Sequence, residues 1–236
     1  MSLTISRQMD AVPVLLRGEP EPINEWVRQW ENRRVLFYAG MIGMGAGLFG
    51  LAVGWWHAPR QAVYTAVKLP FLLLLTAAGN ALLNGMLAPL LGLDLRFRQS
   101  FQAILMSFAI AAVVLGSFSP LVFFVLWNTP SITTAGGGSA YSVLLLSQTG
   151  VIAFAGVAAN LRLIQLLARL SGSARVAKRL LFSWLAGNLL LGSQLAWILR
   201  PFVGSPGLPV EFLRPNAFQG NFYETVFGIL RQFWSA

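Results

Sequence analysis

The chain has 236 residues, of which 56% are hydrophobic and 11% charged, with a formal net charge of +9. A soluble domain averages about 45–50% apolar and about 25% charged residues. So little charge cannot cover a globular surface, which excludes a water-soluble enzyme, a disordered tail and a secreted disulfide scaffold together. From Gln99 to Leu161 there is no Asp, Glu, Lys or Arg. The composition is that of an integral membrane protein. Its basic residues lie between apolar stretches and not along one soluble face, so nucleic acid is not an expected partner. The chain has no Cys, hence no disulfide, thiolate metal site or lipidated cysteine.

In chain order, residues 1–34 form a largely polar N-terminal segment. Acidic Asp10, Glu19, Glu21, Glu25 and Glu31 argue against a mitochondrial transit peptide. Within it, 22–32 reads as a short helix, because Pro22 suits a first helical position and Ile23, Trp26, Val27 and Trp30 fall on one stripe. That stripe can lie on the bilayer surface, with Arg28, Arg33 and Arg34 meeting anionic headgroups. It can equally pack on the protein's own loops.

Five stretches reach the roughly 20 apolar residues that a transmembrane helix needs: 35–56, 69–91, 101–127, 141–161 and 180–199. The first follows a long polar segment and is too long for a signal-peptide core. The domain 35–199 is thus expected to be an all-α, polytopic bundle of five spans. Trp55, Trp56, Trp127, Trp184 and Trp197 lie near span ends, where amphipathic rings anchor at the interface.

The first span is unusually smooth. Gly43 and Gly47, and Gly50 and Gly54, are small-xxx-small pairs that let helix backbones approach closely. They suit either internal packing or a contact with another subunit. The only charges expected near the spans lie at their ends, so a proton relay has no candidate side chain. His57 is the only histidine and cannot by itself make a zinc site. Ser117 and Ser119 before Pro120 lack a base and read as partners of a softened helix. The run 136–140 reads as a flexible loop. No catalytic residue, metal site or cofactor is expected.

The amides Asn80, Asn84, Gln148, Asn160, Asn188 and Gln194 within the spans remain as candidates. Such groups join helices by hydrogen bonds worth about 0.6–2 kcal/mol, or line a polar path for an ion or headgroup. Ala78-Gly-Asn-Ala-Leu-Leu83 also recurs almost unchanged as Ala186-Gly-Asn-Leu-Leu-Leu191, on spans expected to run in opposite directions, as inverted repeats do.

The last segment, 200–236, is proline-rich as far as 220 and ends in a short helix. Asn221 and Glu224 have capping-box spacing, and Phe222, Val226, Leu230 and Phe233 form an apolar stripe. This helix is too short to span and should rest in the interface or on a partner.

At Lys68-Leu-Pro-Phe-Leu-Leu-Leu-Leu-Thr76, followed by Gly92, and at Val114-Leu-Gly-Ser-Phe-Ser-Pro-Leu-Val-Phe-Phe124, the chain resembles bacterial members of the Yip family. The likeness covers roughly the second to fourth spans. It implies a five-span helical protein with a cytoplasmic N-terminus and a role in membrane organisation or assembly. It assigns no functional residue, and the proline-rich tail falls outside it.

These features lead to a non-enzymatic subunit that scaffolds or anchors a larger assembly, in a bacterial inner membrane, with the lipid bilayer and other membrane subunits as partners. The alternative is a small transporter, channel or lipid-handling protein using the Asn/Gln faces. Basic residues divide twelve to five between the two sets of connections, favouring an inside N-terminus and an outside C-terminus. Reporter fusions at Met1 and Ala236 should therefore report opposite sides of the membrane. Reporters on the same side would mean an even number of spans.

Overall fold

The computed structural model describes residues 11–17, 23, 25–27, 29–90, 97–129, 137–204 and 208–235. Among these, every regular element is a helix: α1 (Ala11–Arg17), α2 (Asn32–Trp55), α3 (Pro59–Leu90), α4 (Phe97–Trp127), α5 (Gly137–Ser171), α6 (Ala174–Leu199) and α7 (Phe222–Ser235). Helices α2 to α6 are each long and apolar enough to cross a membrane. Inside hydrocarbon every backbone N–H and C=O needs an internal partner, and a continuous helix supplies one. The chain is an all-α integral membrane protein built as a five-helix bundle. The start of α2 and the start of α6 lie at the same end, called the near end below.

Helix boundaries depart from the apolar runs for a simple reason. Apolarity stops where lipid stops, but Ala, Leu, Gln, Arg and Lys remain good helix formers beyond it. Hence α3 begins at Pro59, not at 69, and α5 continues to Ser171, not 161. Arg60 and Lys68 therefore belong to a helix, and Lys68 lies within the 59–87 span, which corrects the expectation of spans without internal charge. Gly137 to Ala140 make the first turn of α5 and not a loop; Gly136 lies outside the described residues. Pro59 opens α3 after a three-residue turn. At the other end, Gly172 takes φ +63° to stop α5, a left-handed position suited to glycine.

Helix α2 packs against both α3 and α4, using different glycines for each. A Cβ built on Gly50 would lie 2.5 Å from the Thr65 carbonyl oxygen, and one on Gly54 2.6 Å from that of Gln61. On the α4 side, a Cβ on Gly45 would overlap the Ala112 carbonyl, and one on Gly116 would sit 2.9 Å from the Gly45 Cα. Gly47 has ordinary contact distances, 3.4 Å to the Ala66 carbonyl oxygen. Gly43 and Gly40 have nothing within 4 Å and lie on an exposed strip with Leu36, Met44 and Leu48. The four glycines of the sequence pattern thus divide between a buried seam and an open face.

The near end is closed by the N-terminal segment. Leu15, Ile23 and Val27 are buried in one apolar core with Tyr38, Met106, Leu167 and Trp184. Gln102 Nε2 donates to the Trp26 carbonyl at 2.7 Å, while Trp30 packs beside Phe101 and under Arg98. The stripe read from the sequence therefore packs on the protein itself; Pro22, Asn24 and Arg28 lie outside the described residues. Trp184 is fully buried and Trp56 nearly so, which removes both from the interfacial anchors. Burial beneath the N-terminal plug explains Trp184, and contact with the core at the opposite end explains Trp56.

Gly50→Ala and Gly54→Ala should each force α2 away from α3 and destabilise the protein by about 1–3 kcal/mol. Gly43→Ala meets open space and should stay within about 0.5 kcal/mol of the parent. Thermal unfolding in detergent measures both, and equal losses at all three positions would contradict the two-faced reading of α2.

Candidate functional site

Polar side chains gather on one helix, α3, and on its inward face. Gln61, Thr65, Lys68, Thr76, Asn80 and Asn84 are all buried, whereas Val63, Val67, Phe71, Leu82 and Met86 point outward. Steps of three, four or eight residues place the polar set on one side of the helix. Lipid inverts the usual amphipathic order: apolar groups face the solvent, and polar groups face the protein.

Away from the near end, this face holds the segment that leaves α6. Gln61 Nε2 donates to the carbonyls of Pro201 at 3.0 Å and Phe202 at 2.9 Å. The Thr65 hydroxyl also reaches the Phe202 carbonyl. Lys68 Nζ donates to the Pro201 carbonyl at 2.9 Å and lies 5.0 Å from the centre of the Phe212 ring. No carboxylate is among its partners in the described residues. A carbonyl dipole and an aromatic face therefore stand in for a counter-ion. Phe212 also meets Tyr64 edge-on, at 5.3 Å between centres. Gly204, at φ +91°, seats directly against the His57 ring, where a Cβ would be 2.6 Å from Cγ. His57 is accordingly a packing residue of this cap. Outside the spans, burial and then the neighbouring Arg214 charge lower the pKa of Arg200, whose guanidinium stacks 3.5 Å from the centre of Trp197.

Toward the near end, the same face carries an amide network. Asn80 Nδ2 donates to Asn188 Oδ1 at 2.6 Å and to the Trp184 carbonyl at 3.0 Å, both on α6. Asn84 Nδ2 donates to Asn80 Oδ1, and the Ser183 hydroxyl reaches Asn84 Oδ1 at 3.4 Å. The chain Ser183, Asn84, Asn80, Asn188 thus ties two helices together. Gly187 makes room for it, since a Cβ there would overlap Asn80 Oδ1. On the matching side, Gly79 sits against Leu191. The recurring Ala-Gly-Asn sequence therefore has a packing reason: its two copies face one another across α3 and α6.

The other three amides go elsewhere. Gln194 Oε1 accepts from the Phe222 backbone N–H at 3.1 Å, at the start of α7. Asn160 donates to Gly156 O of its own helix. Gln148 is buried beside a cavity of about 70 Å³ between α4 and α5, with its Nε2 unpartnered. Asn80, Asn84 and Asn188 are brought together; Gln148, Asn160 and Gln194 are not.

Helix α7 begins as its sequence suggests, with Asn221 Oδ1 accepting from the Glu224 N–H at 2.8 Å. It is fastened by a polar edge, where Tyr223 Oη donates to the Leu190 carbonyl at 2.7 Å and meets the Ser193 hydroxyl. Phe222 is half-buried, while Val226 and Phe227 remain exposed. The side chains of Leu230 and Phe233 lie outside the described residues.

Gln61, Thr65 and Lys68 were not recognisable as a site from the apolar runs, because they precede the run that marks the second span. Their spacing, continued through Thr76, Asn80 and Asn84, was the available signal. No protein-family model matches the chain, and neither curated proteins nor solved structures include a match.

Removing a bond between distant segments of the chain should cost more than removing one within a helix. Gln61→Leu and Asn80→Leu should each destabilise the protein by about 1–3 kcal/mol, from two bonds at roughly 0.5–1.5 each. Asn160→Leu should remain within about 0.5 kcal/mol of the parent. Unfolding curves in detergent test this, and a loss at Asn160 as large as at Asn80 would deny the network its joining role.

Proposed function

We propose that the chain is a non-enzymatic membrane subunit that scaffolds or anchors a larger assembly. The observation that carries this reading is the open glycine face of α2. Gly40 and Gly43, with Leu36 and Met44 beside them, form a smooth strip that no part of the described chain covers. Small residues on a lipid-facing strip permit the close backbone approach that joins helices in a membrane. The exposed Val226 and Phe227 of α7 add a second apolar element at the opposite end of the bundle. The polar side chains of α3 support the same reading, because their donors are engaged by carbonyls and amides of the protein itself.

The proposal takes the near end as cytoplasmic, in a bacterial inner membrane. Arg33, Arg34, Arg162, Arg169, Arg175, Lys178 and Arg179 cluster in the helices around that end, which favours the inside. A role in membrane assembly also agrees with the likeness to the Yip family over the second to fourth spans.

Gly40→Leu combined with Gly43→Leu should leave the unfolding temperature unchanged, since both side chains enter open space. The same variant should migrate on a native gel as the lone 25.7 kDa chain with its detergent, where the parent runs in a larger complex. Co-migration of the variant at the parent's size would refute the docking role of this face.

A further inference from the structure

A groove of about 570 Å³ opens on the lipid-facing side near the start of α6, lined by Leu87 of α3 and by Lys178, Arg179, Phe182, Ser183 and Ala186 of α6. Its lining is ordered along the membrane normal. Lys178 and Arg179 stand within the first two turns of α6, Phe182 and Ser183 one turn deeper, and Ala186 one turn deeper again. At 1.5 Å per residue, the cations and the apolar floor are about 12 Å apart. Leu87 and Phe182 are exposed to the hydrocarbon, so the groove is open sideways to lipid. Among the described residues, neither Lys178 nor Arg179 has an acidic partner. From Leu95 to Val210 the chain contains no Asp or Glu at all.

We infer that this groove binds an anionic phospholipid of the surrounding bilayer, its phosphate between Lys178 and Arg179 and one acyl chain along Phe182 and Ala186. The order of the lining matches that of the ligand: fixed positive charge at headgroup depth, then an apolar wall at chain depth. A helix from another subunit would leave both cations facing hydrocarbon or a second protein surface, whereas a phosphate neutralises them where they stand. Basic pockets between transmembrane helices are a recurrent headgroup site, and the volume falls within the roughly 300–1,000 Å³ of small-molecule sites. Ser183 joins the groove to the amide network through Asn84, so the wall that meets the lipid is held in place by the bond between α3 and α6. The inference requires only that α6 crosses the membrane; it does not depend on the subunit reading.

The full chain is reconstituted in phosphatidylcholine bilayers containing spin-labelled phosphatidylglycerol or spin-labelled phosphatidylcholine. The fraction of each label immobilised on the protein is then compared. The parent should prefer phosphatidylglycerol. Lys178→Gln with Arg179→Gln should reduce that preference by about fivefold for each charge removed, whereas Lys178→Arg with Arg179→Lys should retain it. Ala186→Trp fills the floor without changing charge and should also lower the preference. Arg162→Gln removes a half-buried cation of α5 outside the groove and should leave it nearly unchanged. Equal effects of Arg162→Gln and the double substitution would overturn the site in favour of diffuse surface attraction. So would an unaltered preference in Ala186→Trp, or a parent that does not discriminate between the two lipids. All variants are accepted only with parental unfolding temperatures, which the exposed, unpartnered positions 178 and 179 should preserve.

Discussion

Hydrocarbon offers no hydrogen-bond partner, so a polar side chain on a membrane-spanning helix must find one inside the protein. Helix α3 brings six of them, and the arrangement of the bundle follows from where their partners come from. Gln61, Thr65 and Lys68 are answered by the carbonyls of Pro201 and Phe202, which pulls the proline-rich segment back onto the end of α3. Asn80 and Asn84 are answered by Asn188, Ser183 and the Trp184 carbonyl, which fastens α6 alongside. Helix α6 buries only Ala177, Leu180, Trp184 and Leu199. With so little apolar interlocking, the amides supply directional bonds that lipid cannot replace.

The adjoining flank of α3 is held by a different force. Gly50 and Gly54 bring α2 against the backbone at Thr65 and Gln61, the residues whose side chains grip the segment after α6. Dispersion between closely spaced backbones favours such a seam, because lipid tails and side chains are equally apolar and burial alone gains little. The same few residues of α3 therefore link α2, through the backbone, to the chain that follows α6, through side chains. Gly45 and Gly116 repeat the device between α2 and α4.

What the bundle leaves open is as informative as what it closes. The near end is sealed by Leu15, Ile23 and Val27, and the other end by Pro201, Phe202 and Phe212. The exposed features lie on the flanks: the glycine strip of α2, and the groove between α3 and α6 with its two cations. Both face lipid, and their chemistry differs, one flat and apolar, the other graded from charge to hydrocarbon. A strip of the first kind suits a helix, and a groove of the second kind suits a lipid.

Composition and periodicity by themselves determined the class of this protein: five apolar runs in a charge-poor chain leave a membrane helix bundle as the available fold. The capping pair Asn221 and Glu224 was also legible, because local spacing dictates it. The destinations of the side chains were decided only by the tertiary structure. Asn80 and Asn188 could be recognised as buried amides, but their pairing depends on α3 and α6 being neighbours. The glycines of α2 read as one pattern, yet Gly50 and Gly54 meet a backbone while Gly43 faces outward, since a helix turns 100° per residue and its partners occupy only some directions. Lys68 stood at the edge of an apolar run and read as a charge in a connection. Its burial became visible only once the chain after α6 returned to cover it, a contact across 133 positions that no local pattern encodes.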